Sequence, residues 1–285
     1  MKVRVPKISF KNIPRYWNDG DPVSTLWLNV TSAAIPNMES YVIEAMARCE
    51  PYVEKKVQKE IQILTQQEHI HSGMHLRYNR MLQDHGFDVD FVNYPLLIKL
   101  VALVGRLPHV MFRSLFKNTR LRNLHMLGRA IAIEHVTCNL ALHLFSSLEY
   151  SKAQTDMKLM WYWHSAEEVE HRHIGHNILE QMVPSRLKRW LFITPIVLWD
   201  TSFQLVLSIM SLVHWLNRDQ QLKKLSVWTR LLSFILKPKG LLLATVIPTL
   251  MALRPNFNPK SLDLDFMVEE FDKVFPVQVR KAKAK

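Results

Sequence analysis

Four stretches of this chain repeat apolar residues at the three- and four-residue spacing of an amphipathic helix: about 36–49, 53–84, 121–148 and 155–182. The first opens at Pro36, a favoured first-turn residue, and Pro51 parts it from the second. The second stops at Gly86, a C-terminal glycine signal, and Pro184 ends the fourth. Residues 1–34, with scattered proline, asparagine and aspartate, read as irregular. A long connection, 87–118, joins the second and third helices and holds the apolar stretch 94–104 and then Pro108. No alternating run bounded by hairpin turns occurs. The expected fold is therefore all-α: a ferritin-like four-helix bundle over 35–184, with its long crossover between helices two and three.

Beyond the bundle, 190–216 and 231–253 are strongly apolar, with few acids, and carry Pro195, Pro238 and Pro248. Their longest clean run, 241–253, falls short of the ~20 residues a spanning helix needs. They read as extra C-terminal helices, within an apolar region 185–276, that pack on the bundle or dip into a bilayer face. A basic tail, 277–285, follows, and the whole reads as one domain.

The apolar stripes are interrupted in a consistent way. At 100° per residue, Val57, Ile61, Leu64, His71, His75 and Leu82 lie within about 60° of Glu68. On the fourth helix Met157, Trp161, His164, His171, Leu179 and Met182 share a face with Glu168. Glu134 sits among Leu127, Ala130, Cys138 and Ala141, and Glu39 among Ile35, Val42, Ile43 and Met46. Each helix thus aims one glutamate into its core face, and two add a histidine three residues later. A buried, unpaired carboxylate costs several kcal/mol. No lysine or arginine lies on these inner faces, so two divalent cations are the expected counter-charge, held by Glu39, Glu68, His71, Glu134, Glu168 and His171. The set matches the carboxylate recipe of one glutamate from each of two helices and Glu-x-x-His from the other two. His75 and His164 extend the pattern by one turn, as extra ligands, hydrogen-bond donors or proton carriers, and Glu167 stands at the stripe's edge as a supporting group or substitute ligand. Glu170 and His173, a second Glu-x-x-His, face the opposite side and are rejected, as is Glu44, which lies off the first helix's apolar face. His135 is read as peripheral, and Cys138 and Tyr78 as packing.

Composition bounds the rest. The 285 residues include 48% hydrophobic and 22% charged, enough for a sizeable core and too polar for a polytopic membrane protein. Two cysteines and an amino terminus without an apolar leader point to the cytoplasm. The net charge is +12, spread along the chain apart from the tail. Basic residues flanking the apolar carboxyl third suit a membrane surface or a lipid chain, so peripheral contact with the membrane's inner face is expected. Packing on the bundle or a homodimer interface would serve the same residues, and nucleic acid is not an expected partner.

Over about 17–266 the chain resembles the bacterial family of predicted metal-dependent hydrolases. The resemblance rests on Pro36-Asn37-Met38-Glu39, on Gln67-Glu68 with His71, His75 and Asn79, on Glu134-His135, and on Trp163-His164 followed by Glu167-Glu168 and Glu170-His171. Met38 stands where the family usually has glycine. Metal dependence and hydrolysis are what the resemblance implies.

Two enzymatic readings follow. In one, two irons activate dioxygen to oxidise a hydrophobic substrate; two imidazoles and four carboxylates in a bundle suit iron or manganese better than zinc. In the other, metal-activated water attacks an ester, amide or phosphate. No Gly-x-Ser-x-Gly or comparable nucleophile motif is present. A third reading, a non-catalytic membrane- or RNA-associated binder, would leave the inward ligands without a purpose.

Overall fold

The computed structural model describes residues 1–146, 152–237, 240–275 and 278–280. Among the described residues the architecture is helical apart from an isolated bridge, Asn18–Ala153, and one short ribbon, in which β1 (Val3–Val5) pairs antiparallel with β2 (Gln278–Arg280).

Helix α1 (Pro22–Cys49) begins fourteen residues before the expected start at Pro36. Asp21 caps it, its carboxylate accepting from the Ser24 backbone N–H, and Pro22 rather than Pro36 fills the first turn. Residues 22–34 are therefore helical, not irregular, because burial of these apolar turns in the core outweighs the hydrogen bond lost at Pro36. Helix α2 (Lys55–Asp84) returns antiparallel and ends as expected: Gly86, at φ +79°, lets Phe87 N–H reach the Leu82 carbonyl and its own N–H reach Gln83.

The connection holds a full helix, α3 (Leu96–Leu115), with Pro108 inside it. Then come α4 (Thr119–Ser146), α5 (Thr155–His171) and α6 (Ile174–Met182). The expected fourth helix, 155–182, is thus broken at Arg172–His173, although Gly175, Leu179 and Met182 remain as buried as its stripe requires or line the core beside it. Helices α1, α2, α4 and α5–α6 form the bundle, and α3 is the crossover.

Helix α7 (Arg186–Arg218) packs along α1, α3 and α4, and α9 (Leu241–Ala252) packs on α4, α7 and α8 (Leu225–Leu236). A tenth helix, α10 (Asp265–Val274), with no counterpart in the sequence reading, closes over α5. By length and composition α7 could cross a membrane, but its flank is committed to the bundle. Of the basic tail, 278–280 form β2; Pro238 and residues 281–285 lie outside the described residues.

Candidate metal centre

Four helices deliver the inward groups. Glu39 comes from α1, Glu68, His71 and His75 from α2, Glu134 from α4, and His164, Glu167, Glu168 and His171 from α5. All nine are buried, because three- and four-residue spacing keeps each set on its helix's core face. The six expected ligands converge: Glu68, His71 and Glu168 present donor atoms within 4.8 Å of one another, and so do Glu68, Glu134 and His171. A third such group joins Glu39, His71 and His164.

The hydrogen bonds behind the histidines decide which nitrogen faces the centre. Glu167 Oε1 accepts from the Arg4 backbone N–H at 3.0 Å and from its guanidinium, so Glu167 is a carboxylate. Its Oε2 lies 2.9 Å from His71 Nε2, which must donate. The lone pair of His71 then sits on Nδ1, with Glu39 Oε1, Glu68 Oε2 and Glu168 Oε1 each 3.7 Å away. His171 repeats the arrangement. Gln67 spends its amide protons on the Lys2 carbonyl and Glu170, so its Oε1 accepts from His171 Nε2 at 3.1 Å. His171 Nδ1 is left facing Glu68 Oε1 at 2.8 Å and Glu134 Oε2 at 3.7 Å.

A longer chain fixes His164. The Ser32 carbonyl can only accept, so Asn79 Nδ2 donates to it and Asn79 Oδ1 takes the Ser32 hydroxyl proton at 2.9 Å. Ser32 Oγ therefore accepts from His75 Nδ1, and His75 Nε2 accepts from His164 Nδ1, both at 2.9 Å. His164 Nε2 is left with its lone pair 3.0 Å from Glu168 Oε1, whose other oxygen accepts from Thr137. Three imidazole nitrogens thus point at carboxylate oxygens, and each contact needs a proton or a cation between the two.

The electrostatics describe the metal-free site, in which protons stand where cations would. Burial, and then the neighbouring Glu68 for Glu39 and Glu168 for Glu134, push both carboxyls well above the usual carboxylate range. Burial works the same way on Glu68 and Glu168, but the facing histidines outweigh it and hold both below that range. Burial pushes His71 and His171 down, yet Glu167 and Glu68 for the first, and Glu68 and Glu168 for the second, lift them above the ordinary imidazole value. Burial carries His75 and His164 below that value, so both are neutral. Glu39 Oε1, Glu68 Oε1, Glu134 Oε2, His71 Nδ1 and His171 Nδ1 have no hydrogen-bond partner although fully enclosed. Five enclosed donor atoms that face one another fit bound cations.

The rejected groups sit where expected. Glu44 is exposed and pairs with Arg48, and Glu170 faces outward to Arg4 and Gln67. His173 lies in the α5–α6 break, His135 bonds Asn139 outside the cluster, Cys138 is buried in packing, and Tyr78 donates to Asn29. The supporting residues were less legible. Arg4 supplies a buried cation that the inner faces themselves lack: it arrives from β1, outside the four helices, and meets Glu167, Glu170 and Asp272. Gln67, Ser72 and Thr137 orient His171, Glu39 and Glu168. For Gln67 and Ser72 the available signal is their adjacency on α2 to the face of Glu68 and His71.

Two cavities approach the centre from either side of α4. One, about 380 Å³, is bounded by Glu134 itself with Arg172, Arg189, Trp190 and Arg254. The other, about 500 Å³ and mainly apolar, lies among α1, α3, α4, α7 and α9 and reaches Thr137, the partner of Glu168.

Residues 2–263 match a family model described as predicted metal-dependent hydrolase. No curated protein and no solved structure matches the chain.

Proposed function

Because the chain belongs to the family of predicted metal-dependent hydrolases, we propose that it is an enzyme built on a dinuclear centre, and that the centre holds iron and oxidises a hydrophobic substrate with dioxygen. Glu39 and His71 would complete the shell of one ion, Glu134 and His171 that of the other, and Glu68 and Glu168 would be shared. The observation that carries this reading is the set of imidazole nitrogens directed at carboxylates, each ring held by a hydrogen bond on its other nitrogen. Four carboxylates and few nitrogens form a hard donor set, which favours iron or manganese over zinc. The ions, when bound, supply electrons for activating dioxygen.

The remaining chemistry belongs to the chain. Glu167 and Gln67 hold the proton of His71 and of His171 on the outer nitrogen, so that each ring keeps its inner one free. Ser32 and Asn79 do the same for His164 through His75. The apolar 500 Å³ cavity ending at Thr137 offers room for a greasy molecule and excludes water from the Glu168 side.

The family's description favours a second reading, hydrolysis, in which the ions would acidify a water toward pKa ~7. Elemental analysis of protein purified without chelators separates the two. Two irons per chain, lost in Glu68→Ala, with oxygen uptake in the presence of a reductant, is the expected result. Stoichiometric zinc together with anaerobic turnover of an ester or phosphate would replace oxidation by hydrolysis, and a metal-free protein indifferent to Glu68→Ala would remove both.

A further inference from the structure

Helix α3 has three faces. Ile98, Ala102, Gly105 and His109 are buried against the fold. Lys99, Arg106 and Arg113 are seven residues apart and form one line beside that buried face. The remaining arc, about 140° wide at 100° per residue, is apolar and exposed: Leu97, Leu100, Leu103, Leu107, Val110 and Met111 are each 45–64% accessible. A soluble surface carries scattered apolar residues, not an uninterrupted helical face of them.

The layer continues. Helix α3 packs on α7, α7 on α9, and α9 on α8. On α8, Leu225, Trp228, Leu232 and Leu236 are exposed at helical spacing, and on α9 Val246, Ile247, Leu250 and Met251 are exposed. Helices α3, α8 and α9 contain no aspartate or glutamate, and the single acid of α7, Asp200, is buried between His109 and Arg129. Outward charge within these helices is positive, Lys188 of α7 adding to the line on α3, while Arg230 of α8 is spent on Asp21 at 3.0 Å.

We infer that this layer docks the protein on an anionic phospholipid bilayer, α3 lying in the interface with its apolar arc among the acyl chains and its basic line against the headgroups. A second copy of the chain would bring the same basic line and no acids to meet it, so charge complementarity selects lipid. The helices that form the layer also wall the 500 Å³ cavity: Ala102, Gly105 and Arg106 of α3 and Leu241 and Ala244 of α9 bound it, and Thr137 beside Glu168 lies within it. The docked face thus adjoins a path by which a bilayer-dissolved amphipathic molecule reaches the centre. That last step rests on the proposed function; the docking does not.

Co-sedimentation with vesicles tests the docking, metal content and thermal unfolding serving as controls for folding. Wild type binds phosphatidylcholine vesicles that contain phosphatidylglycerol, and binds pure phosphatidylcholine more weakly. Arg106→Ala with Arg113→Ala weakens binding to the anionic vesicles about 20–30-fold, from ~1 kcal/mol per basic residue. Leu103→Glu with Leu107→Glu abolishes binding to both while keeping wild-type metal content. Wild type that stays in the supernatant overturns the inference, as does a Leu103→Glu/Leu107→Glu protein that still sediments. So does a wild-type dimer made monomeric by those two substitutions without any vesicle binding, which would assign the face to a second copy. A wild type that docks yet purifies without metal would leave the docking in place and defeat the proposed function instead.

Discussion

At the scale of single residues, the centre depends on groups that never face it. A ligand imidazole binds a cation only through an unprotonated nitrogen, and a partner on the other nitrogen decides which one that is. Glu167 does this for His71 at 2.9 Å and is itself held by Arg4. Glu167→Gln preserves the shape, but its single oxygen can accept from Arg4 or from His71 and not from both, and the charge that makes His71 basic is gone. Metal affinity is expected to fall about 10–100-fold, read by competition with a chromophoric chelator, with the helical content unchanged. Unaltered affinity would show that Glu167 serves packing alone.

At the scale of elements, the two chain ends secure the outer side of α5. Arg4 on β1 is fully buried and bonds Glu167 and Glu170 of α5 and Asp272 of α10. Arg4→Met would leave Glu167 enclosed without its cation, and removal of one partner from a buried pair costs about 3–5 kcal/mol. By contrast Arg48→Ala removes a half-exposed i,i+4 partner of Glu44, worth about 0.3–0.5 kcal/mol. Urea denaturation of the two variants side by side should reproduce that order; equal losses would contradict it. The elements also show how local signals mislead. Pro36 reads as a helix start by its own chemistry, yet Asp21 and Pro22 supply a better one upstream and the apolar run between them carries α1 through the proline. Pro108 marks a connection just as plausibly, and α3 forms across it because its buried face has α7 to pack against.

At the scale of the whole molecule, protons and cations compete for one set of atoms. Burial raises Glu39 and Glu134 above their unfolded values, and His71 and His171 are raised by facing carboxylates despite burial. In metal-free protein these four groups bind more protons folded than unfolded, so their contribution is present at low pH and is lost as pH rises. Glu68 and Glu168, held low, act with the opposite sign, but only below the ordinary carboxylate range. His75 and His164, lowered by burial, act with the opposite sign over the same interval, about pH 5 to pH 8, so the four raised groups are read from the difference between stripped and loaded protein. Metal displaces those protons, so the stabilisation gained on loading should grow over the same interval, and uptake in weak buffer should acidify the medium. Thermal unfolding of stripped and loaded protein across the range measures both slopes; parallel slopes would mean that the ions bind elsewhere.

What the sequence by itself determined was periodic. Four core-facing glutamates, two Glu-x-x-His pairs and the rejection of Glu44 and Glu170 follow from angles along single helices, a local property of the chain. The passage of α1 through Pro36, the helix across 96–115, the break at Arg172–His173 and the arrival of Arg4 beside Glu167 were decided by the tertiary structure. Each of these depends on a partner distant in sequence, and a residue's own spacing carries no record of what will pack against it. The tautomers of His71, His164 and His171 belong to the same class, since they are set by Glu167, His75 and Gln67 and by the backbone and side chains standing behind those.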